Sequence, residues 1–167
     1  STLMASLHVT TVHEDPALAR LFDLFGASEC CWFASTRPDG RAHLAPIWHV
    51  VHAGRVYVVT QAGSVRAANI SQQPHVSLAL PDPMNVLVIE GVARPAPERR
   101  GELRPLFQAK FNWDIATDAD YDTVIEVTPR KVMAWGSPCL LYTSDPADGR
   151  SSENLGGRRL IKKKKTR

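Results

Sequence analysis

The sequence predicts a mainly β protein, a small barrel of six antiparallel strands with short helices at its joins. Three observations carry this. Short apolar or alternating runs recur along the chain, clusters of Gly, Pro and Asp separate them, and the few segments with helical spacing are brief. Closure is favoured over a layered α/β sheet because it removes the exposed edges that short strands would otherwise present.

The elements follow in order. "EDPALARLFDLFG" opens with acidic residues and Pro16, places Leu18, Leu21, Phe22 and Phe25 at i, i+3, i+4 and i+7, and stops at Gly26, which predicts one amphipathic helix. "ECCWFAST" and "RAHLAPIWHVV", joined by "RPDG", predict a β-hairpin. "HAGR" turns the chain into the strand "VYVVT"; after "QAGS" a short helix, "VRAANISQQ", runs to Pro74. "HVSLAL" and "VLVIEGVARP" flank the turn "PDPMN" and predict two more strands, with Glu90 and Gly91 marking a bulge or a close strand approach. "APERRGELRPLFQAKFNWD" reads as a helix with Leu103, Leu106, Phe107 and Lys110 along it, weakened at Pro105. "DTVIEVTPRKVMAW" supplies the sixth strand.

Composition bounds the function. The chain has 167 residues, 44% of them hydrophobic, enough for one domain with one core. Its net charge of +3 is unevenly placed: residues from Cys139 on hold eight basic and three acidic side chains, which leaves −2 on residues 1–138. The body gives no electrostatic reason to expect nucleic acid. No basic and apolar leader opens the chain, and no run approaches the roughly 20 apolar residues of a membrane span, so a soluble cytoplasmic protein without membrane contact is expected. Three cysteines, two of them adjacent, form neither a disulfide framework nor a zinc pattern, and no metal site is expected.

"GRVYVVTQAGSVRAANISQQPHVSLAL" reads as strand, Thr, Gly-Ser turn, a basic residue two positions on, short helix, Pro and another strand. With "STRPDGRAHLAPIWHVV" before it and "VIEGVARP" after it, this order resembles the pyridoxamine 5′-phosphate oxidase-like family over about residues 16–136. The resemblance implies a split β-barrel of Greek-key type and a homodimer with a flavin at the subunit interface. It further implies hydride transfer between flavin mononucleotide (FMN) and a small-molecule substrate. It assigns Ser64 and Arg66 to the phosphate, Val59 and Thr60 to the ribityl side, and Asn69 to support of the phosphate loop. The backbone of Ala45, Pro46 and Ile47 would follow the isoalloxazine edge, with Lys110 and Trp113 as pocket candidates from the segment "KFNWD".

The residues give the phosphate assignment its own reason. A Ser hydroxyl, the N–H groups of a first helical turn and a nearby Arg together satisfy a dianion, and Gly63 lets the backbone approach it. The plainer alternative is that Ser64 caps a helix and Arg66 is a solvated charge. His49 is a candidate proton donor on the substrate side, its alternative a hydrogen-bonded barrel histidine. His43 shares its face, but two histidines alone do not make a metal site.

The sequence also departs from the vitamin-B6 oxidase that typifies the family. Leu44 and His49 stand where that enzyme has an Arg and a Lys, so synthesis of pyridoxal phosphate is not expected. A reductase using the deazaflavin F420, and a flavin- or haem-binding protein without turnover, stay open on the same fold.

The last stretch, 139–167, has no periodicity that continues the domain. Cys139–Ser144 back-translates to a transposase mosaic-end adaptor, and "LGGRRLIKKKK" resembles a translated flow-cell arm followed by an A-rich run. Residues 139–167 are therefore expected to be non-native and disordered, and residues 1–138 to form the flavin-binding domain.

Overall fold

The computed structural model describes residues 3–8 and 16–136. The expectations for 139–167 lie outside the described residues. Among these residues eight strands and three α-helices follow in the order β1 (Leu3–His8), α1 (Pro16–Ala27), β2 (Cys30–Thr36), β3 (Ala42–Trp48), β4 (Val50–His52), β5 (Arg55–Thr60), α2 (Val65–Gln72), β6 (His75–Ala79), β7 (Asn85–Pro95), α3 (Arg100–Phe111) and β8 (Thr123–Gly136). All strand pairs are antiparallel, in the order β3-β2-β6-β7-β8-β5-β4, with β1 added to β8.

The end strands of this order, β3 and β4, are consecutive in the chain and separated only by His49. The sheet is therefore bent round until its first and last strands meet, which makes it a split barrel. The predicted six strands become eight for two reasons. "RAHLAPIWHVV" breaks at His49 into β3 and β4, and Leu3–His8 adds a strand that its short pattern did not announce. No helix among the described residues is long and apolar enough to cross a membrane.

Two cores hold the fold. Inside the barrel, Leu18, Leu21, Phe22 and Phe25 of α1 pack on Phe33, Val56, Val58, Leu78, Leu87 and Ile89. The i, i+3, i+4, i+7 spacing thus does what it predicts, each buried Leu or Phe contributing about 1.5–3 kcal/mol. On the other face of β5, Tyr57 and Val59 join Val124, Leu103, Phe107 and Ile115 beneath α3. β5 is covered on both sides, which is why "VYVVT" is a continuous apolar run.

The second core also buries the Glu126 carboxylate. It accepts hydrogen bonds from Tyr57 (2.8 Å) and from Arg94 Nε (3.0 Å). Burial pushes its pKa up, but those bonds outweigh it and hold the carboxyl below its usual range. The same environment pushes the Tyr57 hydroxyl up to about 12, through burial first and the Glu126 bond second. α3 continues through the exposed Pro105, because Leu103 and Phe107 on its inner face are fully buried. The expected bulge is present: the register of β7 on β8 shifts between Glu90 and Gly91.

Candidate functional site

β5 delivers Val59 and Thr60 to the tight turn Gln61–Gly63, and Ser64 then caps α2. The Ser64 Oγ accepts from Ala67 N–H (3.1 Å) and from the Thr60 hydroxyl (3.1 Å). Both of its lone pairs are used, so its own proton is left to donate elsewhere. A Cβ added at Gly63 would meet nothing within 4 Å, so no protein atom demands glycine there and the space over the turn is open.

Arg66, in the first turn of α2, is 8% exposed. Its Nη2 donates to the Ala45 carbonyl (3.2 Å), its Nε has no partner, and its guanidinium lies 4.9 Å from the centre of the Phe33 ring. No carboxylate pairs with it among the described residues. Burial lowers its pKa, so the site works against its own charge. A cation at a helix N-terminus also opposes the helix dipole. Three unfavourable features thus meet at Arg66, and its charge is left uncompensated among the described residues.

These residues line a groove of about 730 Å³ together with Pro46, Ile47 and Trp48 of β3. Phe111, Asn112, Trp113, Asp118 and Tyr121, from the end of α3 and the loop after it, complete the lining. β3 is an end strand, so one side of its backbone lacks a strand partner. The groove thus offers an uncompensated cation, an unpaired strand edge and aromatic surface.

The structure gathers Pro46, Ile47, Val59, Thr60, Ser64, Arg66 and Trp113 into this groove, with Ala45 touching Arg66 from behind. Asn69 is 1% exposed and donates to Ser35 Oγ (3.0 Å), locking α2 onto β2 instead of facing the groove. Lys110 also lies elsewhere. Its Nζ donates to the carbonyls of Gly26 (2.9 Å) and His49 (2.6 Å), closing the C-terminus of α1 and the link between β3 and β4. Sequence reasoning missed Trp48, Gln61, Phe111, Asn112, Asp118 and Tyr121 as groove residues; the available signal was the aromatic content of β3 and of an otherwise polar loop.

His49 takes the alternative role, that of a barrel histidine. It is fully buried, its ring lies 4.4 Å from the Phe25 ring, and its Nε2–H donates to the Phe25 carbonyl (2.6 Å). Burial pushes its pKa down to about 4; the Phe25 bond opposes this and the Lys110 charge adds to it. The unfolded chain takes up this proton near 6.5 and the folded chain only near 4, so stability is full above 6.5 and falls as pH drops from 6.5 to 4. The expected loss is about 3 kcal/mol. His49→Gln, which keeps a donor for Phe25, should flatten that part of the pH profile in urea titrations; an unchanged profile would show that His49 is not its source.

Cys31 is fully buried, and burial pushes its thiol up to about 12, so it is an unreactive core group. Cys30 and Cys31 are both free thiols.

The family model described as "Pyridoxamine 5'-phosphate oxidase" matches residues 17–136. No curated protein sequence matches the chain. Among solved structures, a putative pyridoxamine 5′-phosphate oxidase from Listeria innocua is similar at a TM-score of 0.58 and 15% identity, covering 68% of this chain and 94% of that one. A protein described as an F420 reductase is similar at 0.56 and 20% identity, covering 66% and 93%. The heme storage protein HutZ from Vibrio cholerae is similar at 0.59 and 15% identity, covering 71% and 92%. At these identities the likeness is one of fold.

Proposed function

The chain belongs to the pyridoxamine 5′-phosphate oxidase family, and on that footing we propose that it is a flavin-dependent oxidoreductase that binds FMN in the groove beside α2. The observation that carries the proposal is Arg66, a buried guanidinium without a carboxylate partner at the first turn of a helix, lining that groove. A phosphate dianion supplies the missing counter-charge. It also receives the free Ser64 proton and the open N–H groups of the helical turn.

When bound, the flavin supplies hydride transfer at its N5. The chain's part is to hold and orient it. Arg66 and Ser64 would hold its phosphate, Val59 and Thr60 its ribityl side, and the unpaired edge of β3 at Pro46 and Ile47 its ring system. Buried Asn69 and half-buried Lys110 fix the elements that carry these groups.

FMN is favoured over F420 because Arg66 is the only basic side chain among the described residues of the groove, and an oligoglutamate tail asks for more. Haem is less favoured again: none of the described lining residues is a His, Cys or Met, the side chains that commonly hold its iron.

The outward face of β2 and β3 supports a homodimer. Trp32 lies opposite Pro46, and Leu44 and Trp48 continue the same face, with Trp32 41%, Leu44 61% and Trp48 45% exposed. A contiguous apolar stripe of this kind is a surface for association, and a second copy of the chain would cover it symmetrically. Sedimentation equilibrium should give a dimer; a monomer at micromolar concentration would contradict this part of the proposal.

The test of the enzyme reading is spectroscopic. Purified protein should take up FMN stoichiometrically, and the bound flavin should cycle between a nicotinamide reductant and an added acceptor. Flavin bound tightly but inert to every reductant would leave a binding protein instead.

A further inference from the structure

One wall of the groove is aromatic and has no use in holding a phosphate. Trp48 lies flat on Phe111, with ring centroids 4.6 Å apart and 2° between planes. Trp113 stands edge-on to Trp48 at 6.0 Å, and Tyr121 edge-on to Trp113 at 5.8 Å. Tyr121 remains 42% exposed, so its face is available to a ligand.

This wall is fixed in place. Arg104 binds Asp114 through two bonds of 2.8 Å, and Arg100 donates to the carbonyls of Ile115 and Asp122. The Asp122 carboxylate accepts from Ala62 N–H (3.1 Å), which joins the loop to the turn before Ser64.

The charge on this wall has one sign. Asp118 is the only carboxylate among the described lining residues, and Arg66 the only cation. Asp118 Oδ2 accepts from the Trp113 indole N–H (2.9 Å), and Oδ1 accepts from the backbone of Asp120 and Tyr121 (3.0 Å each). The Tyr121 bond foremost, with those from Trp113 and Asp120, holds its carboxyl below the usual range, so it stays ionised at neutral pH. With Arg66 committed to the FMN phosphate, a second ligand meets aromatic faces and a negative charge.

We propose that the wall of Trp48, Phe111, Trp113 and Tyr121 selects a flat, uncharged aromatic molecule as the second ligand, and that Asp118 rejects its anionic counterpart. This rests on the reading that FMN occupies Arg66. A planar ring gains from offset or edge-on stacking, whereas a phosphate, sulfonate or carboxylate meets a like charge and no counter-ion. The same wall accounts for the unsuitability of a phosphorylated vitamer, since no second cation waits for its phosphate.

The test uses the full chain loaded with FMN and follows calorimetric titration with 1,4-naphthoquinone and with 1,4-naphthoquinone-2-sulfonate. The neutral quinone should bind at least about tenfold more tightly than the sulfonate. Tyr121→Ala, at an exposed position, should weaken the quinone by about two- to tenfold. Asp118→Asn keeps an acceptor for Trp113 and should raise the affinity for the sulfonate, narrowing the gap. Equal or tighter binding of the sulfonate, no measurable binding of the quinone, or indifference to Tyr121→Ala would overturn the proposal.

FMN affinity, measured separately by quenching of flavin fluorescence, keeps the two readings apart. If FMN fails to bind, the same titrations on Arg66→Met, where no cation remains in the groove, still decide the selectivity of the wall.

Discussion

Arg66→Ala is expected to weaken FMN binding by about 1.5–3 kcal/mol, or roughly 10- to 150-fold, through loss of a charged hydrogen bond to phosphate. The effect should be confined to the ligand. Arg66 spends one N–H on the Ala45 carbonyl at 3.2 Å, leaves its Nε without a partner, and has no carboxylate beside it among the described residues. A buried charge in that state costs the fold energy, so Arg66→Met should leave the unliganded protein as stable as before or more so. Urea titrations without FMN check this second half. A variant that loses stability and affinity together would show that Arg66 holds the fold and that its weakened binding is indirect.

Gly91→Ala should be among the most damaging single-methyl changes for the fold. An added Cβ at Gly91 would sit 2.6 Å from the Thr128 carbonyl oxygen and 2.9 Å from Val127 Cγ1. Both belong to the strand paired with it, and the contact lies at the register shift where β8 carries one extra residue, Arg130, against β7. Neither backbone can withdraw without breaking the longest ladder in the sheet. The expected cost is about 3 kcal/mol, at the upper end for overpacking. Gly101→Ala makes the control: a Cβ there meets nothing within 4 Å, and the position lies in α3. It should stabilise by about 0.5–1 kcal/mol. Thermal unfolding of the pair checks both; equal Tm values would show that the close approach at Gly91 is relieved.

Much of the fold was legible because its signals are local. The α1 stripe from Leu18 to Phe25 and the "RPDG" turn each depend on neighbours within a few residues and stand as read, and Ser64 does cap α2, the alternative weighed against its phosphate role. The Glu-Gly bulge was visible for the same reason. Strand order was not. β5 pairs with β8, more than sixty residues on, because α2 carries the chain across to β6. Nothing in "VYVVT" encodes that partner.

The site divides along the same line. The end of the groove at Thr60, Ser64 and Arg66 is a contiguous strand, turn and helix, and its residues read in sequence as they lie in space. The aromatic wall comes from an irregular loop held by Arg100 and Arg104, whose partners at Asp114 and Ile115 have no periodic spacing. Lys110 shows the limit of helical spacing. It was a pocket candidate, but it lies half-buried outside the groove, and its partners, the carbonyls of Gly26 and His49, belong to distant elements. His49 was visible as a candidate, and burial against Phe25 decided its role.

The phosphate is the part of FMN on which the central claim depends, and riboflavin is the same molecule without it. The most direct measurement is therefore the ratio of FMN to riboflavin affinity for the full chain and for Arg66→Ala, at one fixed salt concentration. FMN should bind the unaltered chain at least about tenfold more tightly than riboflavin, and Arg66→Ala should remove most of that difference. Equal affinities for the two flavins in the unaltered chain would contradict the assignment of Ser64 and Arg66 to a phosphate.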